Sequence, residues 1–336
     1  MSIRLKDIAA ALGISISTVN AALQNRSDIS KATRARVLKK ARDLGYRPNW
    51  VARSLVTQKT QIIGVVVPDL SRSFFSQVIK GIDMVASAKG YHLLLCNTDE
   101  DPAREDEEVS TLIGKQVDGL IIGSAHPAGE CAVWRRLEQS GVPIVLVDRW
   151  FPKTHFVGGD DEQIGFLATE HLIQQGYRRI AHIRGPNLST AIGRLNGYKK
   201  ALRKHKMPIK RGYVRKAGYH TEAGGYGATV DLLRFSSPPD AIFAASDPIA
   251  VGALDAMQKY GLSLPDDIGL IGVGNMQYGQ YLTVPLSTVD QQRIEIGSKA
   301  ASVLIDLITG KAKGNTRPVL IEPKLIVRTS SSRRSQ

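Results

Sequence analysis

Ser17, Thr18 and Asn20 lie close together in the stretch 14–23, and their short hydroxyl and amide groups can hydrogen-bond to base edges and phosphate oxygens. Cations surround them. Residues 1–60 hold 12 Lys and Arg against 3 Asp and Glu, which is +9 of the formal +14, and leave +5 to the other 276 residues. Charge gathered at one end is the footprint of a nucleic-acid module, whereas even basicity would serve solubility or loose adhesion to polyanions. The elements that must carry these groups are short helices. Leu5, Ile8, Ala9 and Leu12 recur at i, i+3, i+4 and i+7 and line one face. Gly13 supplies a turn, Ser15 caps a second helix, and Val19, Ala22 and Leu23 form its buried stripe, leaving Ser17, Thr18, Asn20 and Ala21 facing outward. A third helix opens at Ser30, carries Ala35, Leu38, Ala41 and Leu44 on one face, and stops at Gly45 with Pro48 beyond. Two helices across a glycine turn are the signature of a helix-turn-helix, so DNA is the first partner to test. The plain alternative is a basic helical bundle with solvated charges.

At 336 residues the chain exceeds the size at which one core stops growing, so two or three domains are expected. Cys96 and Cys131 are too few for a disulfide framework and lack CxxC spacing, which suits a reducing cytoplasm. The first residues show no apolar signal core, and no apolar run reaches the ~18 residues of a membrane span, so secretion and membrane insertion are disfavoured.

From Thr60 onward apolar strands alternate with amphipathic helices. The runs 62–67, 91–96, 119–122, 142–147, 180–183, 241–244 and 268–273 are nearly continuous in apolar residues, as parallel strands buried on both faces require. Their number implies two doubly wound α/β subdomains. A nucleotide-dependent enzyme is the main rival from another class. However, Gly64 is followed by Val65, Val66, Val67 and Pro68 where a GxGxxG would stand, and no GxxxxGK[ST] loop occurs. The seven histidines, at 92, 126, 155, 171, 182, 205 and 220, show neither HExxH spacing nor cysteine pairing, so neither metal nor cofactor is expected. The acidic run 100–108 reads as the solvated first turn of a helix.

Leu5-Lys6-Asp7-Ile8-Ala9, Gly13 to Val19, Thr33 to Val37, Gly45-Tyr46-Arg47-Pro48-Asn49 and Ala52-Arg53-Ser54-Leu55 together resemble the amino-terminal region of lactose-repressor (LacI/GalR) transcription factors, and the resemblance extends over essentially the whole chain. It implies a cytoplasmic, homodimeric, allosteric regulator, most often a repressor, that reads a pseudo-palindromic operator. The reading positions it implies are Ile16, Ser17 and Ala21, with Lys6, Ser15, Thr18, Asn20, Asn25, Arg34 and Tyr46 completing the DNA-facing surface. Ile16 has a second reading, because 16, 19, 20 and 23 also form a core stripe. Ala21 departs from the family, whose members usually carry Arg there, so the operator cannot be borrowed from a relative. Asn49, Ala52, Arg53 and Leu55 match a hinge helix that lies in the minor groove, with Leu55 as the wedge. Eight residues are too few for a helix alone, so the hinge is expected to order only on DNA and against its dimer mate.

The resemblance also implies domain limits: a helix-turn-helix domain over 1–48, hinge and linker over 49–59, a core over 60–328 and a disordered tail over 329–336. Within the core the first subdomain spans about 60–160 and 290–318, and the second about 161–289 and 319–328. An effector sits between them, at the carboxyl ends of the strands, as in periplasmic sugar-binding proteins. A periplasmic binding protein is the second rival; it lacks a use for the basic 60 residues. By the same resemblance Asp69, Phe74, Phe75, Ser124, Asp148, Arg149, Arg194, Ser246, Asp247 and Asn275 line the cleft, with one of Phe74 and Phe75 beginning a buried helix face. Gly274 stands where many members carry a carboxylate and Ser246 where they carry an amide, with Asn275 a partial substitute. A sugar, sugar phosphate, sugar acid or purine-like effector all remain open.

Overall fold

The computed structural model describes residues 3–46, 59–71, 73–127, 140–217, 221–311 and 318–333, and the chain divides into two compact units, Met1–Thr60 and Gln61–Gln336. The expected hinge residues Asn49, Ala52, Arg53 and Leu55, and also Cys131, lie outside the described residues.

Among its described residues the head has three helices, α1 (Leu5–Leu12), α2 (Ile16–Leu23) and α3 (Lys31–Asp43). Gly13, at φ 64°, ends α1 in the left-handed region that an L side chain resists. Ser15 and Ser30 cap the next two helices, each accepting a 3.1 Å bond from a first-turn amide, Thr18 N and Thr33 N. Ile8, Ala9, Val19, Ala22, Val37 and Ala41 form the core, edged by Leu5, Leu12, Leu23, Leu44 and Tyr46. The stripe expected on α3 holds in part: Ala41 is buried and Leu44 packs on the core, but Ala35 is exposed, Leu38 is 41% exposed, and Val37 takes the inward place instead. Two apolar phases compete on this helix, and the branched Val37 packs where α1 and α2 meet.

The core unit contains two six-stranded sheets. The strands are β1 (Ile62–Val67), β2 (His92–Asn97), β3 (Gly119–Ile122), β4 (Ile144–Val147), β5 (Phe156–Gly159), β6 (Ile180–Arg184), β7 (Val214–Lys216), β8 (Ala241–Ala244), β9 (Gly269–Val273), β10 (Ser287–Asp290), β11 (Val319–Ile321) and β12 (Lys324–Ile326). Their orders are β11-β5-β4-β3-β1-β2 and β12-β10-β9-β8-β6-β7, parallel throughout except that β12 runs against β10. The helices among the described residues are α4 (Ser73–Ala88), α5 (Pro102–Gly114), α6 (Asp161–Gln174), α7 (Ser189–Lys204), α8 (Glu222–Leu233), α9 (Asp247–Lys259) and α10 (Arg293–Ile308). In the first lobe α4 and α10 cover one face of the sheet and α5 packs on the other. In the second, α6 with α7 and α8 with α9 cover opposite faces.

Three helix pairs cross so closely that only glycine fits. Gly81 meets the Ile294 carbonyl and Gly297 the Val78 carbonyl; Gly165 meets Arg194 and Gly197 meets Glu162; Gly225 meets Ile249 and Gly252 meets Glu222. A Cβ at any of these six sites would overlap backbone. The pairing fixes where each helix begins, and the starts of α4, α7, α8, α9 and α10 reach one cleft.

The lobe limits need two corrections. β11 pairs with β5 in the first sheet, so 319–321 belongs to the first lobe and the last crossing falls between Ile321 and Lys324, not at 318. Part of the expected tail is ordered: Thr329–Ser331 form a 3₁₀ turn in which Ser330 and Ser331 are buried. The hydroxyls explain it. Ser330 donates to the Leu270 carbonyl at 2.6 Å and accepts from Ser287 N at 2.8 Å, while Ser331 bonds Ser287 and His171, each at 2.7 Å. Arg333 then stacks 4.1 Å over the Tyr177 ring.

Candidate ligand cleft and DNA-reading surface

On the head, α2 presents Ser17 and Asn20 to solvent, and Ile16 is 51% exposed. Ile16 therefore lies off the core stripe. Ala21 departs from its expected outward place, being 8% exposed; a methyl barely clears the backbone, and the following chain folds back so that Arg26 N donates to the Ala21 carbonyl. The Ser15 hydroxyl is engaged as the cap and also bonds Ser17 and Thr18. Asn20 accepts from Gln24 at 3.2 Å, and Asn25 takes a left-handed φ of 60° in the exposed turn. Arg34 reaches back to the Arg26 carbonyl at 2.6 Å, tying that turn to α3. Lys6 is exposed, whereas Tyr46 packs partly into the core and burial raises its hydroxyl pKa.

In the core, a cleft of about 310 Å³ opens at the carboxyl ends of the strands of both sheets, the general ligand position in open α/β proteins. Asp69, Phe74, Phe75, Asp148, Arg149, Arg194 and Ser246 all line it. Phe74 and Phe75 meet edge to face with centroids 5.0 Å apart. Phe75 is 3% exposed and lies over Gly123, so Phe74 is the ring with a face to offer a ligand. Asp69 is held by its own loop, accepting from Ser71 N at 2.8 Å and Ser71 Oγ at 2.6 Å. Asp148 sits at φ 65°, a strained conformation that sharply turns the chain after β4. Arg149 is a brace. It donates to the Ser124 carbonyl and to Glu100 Oε1, the latter at 2.8 Å, with Asp148 Oδ2 3.7 Å from its Nε.

Arg194 is 4% exposed and aimed by two bonds, Nε to Asp161 Oδ1 at 2.9 Å and Nη1 to the Ala245 carbonyl at 2.6 Å. Burial pushes the Asp161 carboxyl up to about 7; Arg194 opposes the shift, while Asp148 and Asp160 add to it. Behind α7 lies His182, stacked 4.4 Å from Phe243 and 5.4 Å from Tyr198; burial lowers its pKa to about 3, so it is neutral. Ser246 caps α9 and sits at the cleft wall.

Three expected cleft residues lie elsewhere. Ser124 is fully buried and donates to Glu105 Oε1 at 2.8 Å, so its hydroxyl faces the interior of the first lobe. Asp247 is buried beneath the wall, accepting from Met276 N and Thr288 Oγ1, both at 2.7 Å; burial raises its pKa against those bonds. Asn275 replaces no sugar-binding group, because its polar atoms are all engaged: N with Thr288, Nδ2 with Asp290, Oδ1 with Arg328 and O with Arg293. Polar residues tied to their own strand ends read the same in sequence as residues that face a ligand. Thr190, Glu222, Gln291 and Arg293 line the cleft without having been expected. The polar pair Gln291 and Arg293 follows β10, a strand whose Ser287-Thr288-Val289-Asp290 pattern lacks the apolar run that marked the others.

A helical head with exposed polar groups on its second helix, and a two-lobed core with an arginine-edged cleft, define a ligand-controlled DNA-binding regulator. Residues 4–49 match bacterial regulatory proteins of the lacI family, and residues 169–331 match the periplasmic binding protein-like domain. The chain is 34% identical over 331 residues to the HTH-type transcriptional repressor CytR of Escherichia coli (strain K12), covering 97% of this chain and 96% of that one. It is also 34% identical over 331 residues to the ribose operon repressor of Haemophilus influenzae, covering 97% and 98%. The Lac repressor dimer bound to operator and the anti-inducer ONPF superposes with a TM-score of 0.88 at 26% identity, covering 98% of this chain and 99% of that one. The transcriptional regulator CelR in complex with cellobiose follows at 0.75 and 27%, with the same coverage. The chain belongs to the LacI family of bacterial transcriptional regulators.

Proposed function

We propose that this regulator is a cytoplasmic, homodimeric, non-enzymatic repressor that grips a pseudo-palindromic operator and changes its grip when a small polyhydroxylated metabolite enters the cleft. The observation that carries the effector half is Arg194, a buried guanidinium at the cleft wall held by Asp161 through Nε and Ala245 through Nη1, with no hydrogen bond from Nη2 among the described residues. Phe74 offers a stacking face across from it, and Thr190 and Ser246 supply hydroxyls. Relatives named for ribose, and a structural neighbour bound to cellobiose, support a sugar-like chemistry. On the head, Lys6, Ile16, Ser17, Thr18, Asn20, Asn25 and Arg34 form the DNA surface, and Asn49, Ala52, Arg53 and Leu55 the minor-groove hinge. A ligand shifts operator affinity only by its differential affinity for the two lobe arrangements, typically ~1–3 kcal/mol.

The test is Arg194→Ala in the full chain. Operator fragments are found by footprinting on source DNA, and effectors by thermal shift over sugars, sugar acids, sugar phosphates and nucleobases. The variant is expected to hold its operator and lose the effector response; a fully responsive variant places the pocket elsewhere.

A further inference from the structure

Arg293 lines the cleft with no ion pair among the described residues, whereas Arg194 is paired with Asp161. It opens α10 just after the chain crosses from the second lobe to the first, and it is partly buried. Its Nη2 donates to the Asn275 carbonyl of the second lobe at 2.9 Å, and its Nη1 makes only long contacts, 3.4 Å each, with the carbonyl and hydroxyl of Ser73 at the start of α4. All three partners are neutral, and among the described residues no carboxylate lies within ion-pair distance. The two nearby acids are already engaged. Asp290 accepts from Asn275 Nδ2 and Gln292 N, and Asp247 from Met276 N and Thr288 Oγ1. Partial burial works against the charge of this guanidinium, and Asp290 and Asp247, beyond ion-pair distance, offset that only in part.

The surroundings favour an anion. Gly274 lines the cleft without a side chain, so no carboxylate stands at that place in the wall. The acids that do line the cleft are turned to other work: Asp69 to Ser71, Asp148 towards Arg149, and Glu222 to the exposed rim. Arg149, also in the cleft lining, is already paired with Glu100 and Asp148, which leaves Arg293 as the cation there without an ion pair among the described residues.

We infer that the effector carries an oxyanion, a carboxylate or phosphate on a polyhydroxylated body, and that Arg293 binds it in exchange for its long contacts with Ser73. This rests on the cleft being the effector site. Because those contacts join the first lobe to the residue that also grips Asn275 of the second, exchanging them links ligand charge to the lobe arrangement. A pair with an oxyanion would replace two long bonds to neutral acceptors by short ones between opposite charges.

The full-length protein is titrated with inorganic phosphate, D-gluconate and glucose 6-phosphate, and with uncharged D-glucose and sorbitol, at ionic strength matched with potassium chloride. Melting midpoints are read for wild type, Arg293→Met, Arg293→Lys and Arg194→Ala. The expected result is stabilisation by phosphate and by at least one charged polyol beyond its uncharged counterpart, weakened about tenfold or more in Arg293→Met and partly kept in Arg293→Lys, as loss of hydrogen bonds to a charged group implies. Gluconate against glucose 6-phosphate distinguishes carboxylate from phosphate. Anion stabilisation undiminished in Arg293→Met, or none above the chloride control, overturns the inference. Uncharged sugars that stabilise as well as the charged ones, and lose this in Arg194→Ala, overturn it too while leaving the cleft reading intact.

Discussion

The head and the core solve opposite problems. Among the described residues the head is held by a core cluster of six and a few caps, and its proposed DNA surface is what stays exposed, the outer side of α2 with Ile16 half in solvent. The core is held by two sheets and three glycine-locked helix pairs, and its proposed effector contacts are nearly buried, Arg194 at 4% exposure among them. A surface that reads DNA needs little more than correct helix ends. A cleft that recognises a small molecule needs many elements to meet within tenths of an ångström.

The largest expected effect belongs to the head. If its cations neutralise ~6–10 phosphates, operator affinity falls by about 10³–10⁵ between roughly 50 and 200 mM salt, as read by anisotropy. A flat response would break the comparison by removing the electrostatic half. Next, Ile8→Ala should cost the head ~2–5 kcal/mol, enough to melt a core of six residues. Calorimetry would show its transition lost while that of Gln61–Gln336 stays; a common shift of both would mean that they do not unfold as separate units.

In the core, Gly197→Ala should cost ~1–3 kcal/mol or more through overlap with the Glu162 carbonyl. Because α7 carries Arg194, effector affinity should fall as well, sharpening the link between glycine crossing and site geometry. A smaller loss, ~0.5–2 kcal/mol, is expected for Ser30→Ala, which removes the cap of α3. The mildest test is pH. With the Asp161 carboxyl raised to about 7, the folded chain binds more protons than the unfolded one between the ordinary aspartate range and that value, so this group's contribution to stability falls as pH rises. Asp161→Asn should flatten that part of a urea-midpoint profile, and an unchanged profile would show the carboxylate fully ionised beside Arg194.

Much of the head was legible in sequence because its signals are local. Ser15, Ser30, Gly13 and Gly45 act within one turn of where they stand, and the i, i+3, i+4 spacing of Leu5, Ile8, Ala9 and Leu12 is a property of a single helix. Even there, the choice between Leu38 and Val37 for the inward place depended on where the other two helices packed. The long apolar runs likewise marked β1, β3, β8 and β9, since strands covered on both faces must be apolar along their length. Short or polar strands such as β5, β7, β10 and β12 carried no such mark.

The amino-acid order alone determined the division into a cationic helical end and an alternating α/β remainder, because charge, capping and periodicity are properties of neighbours in the chain. Only the tertiary structure decided which polar groups face the cleft. Ser124, Asp247 and Asn275 turned inward to satisfy buried partners, while Arg293, some 220 residues from Ser73, came to its side. A side chain's hydrogen bonds are set by whatever the fold brings near it, and that proximity is not written in spacing along the chain.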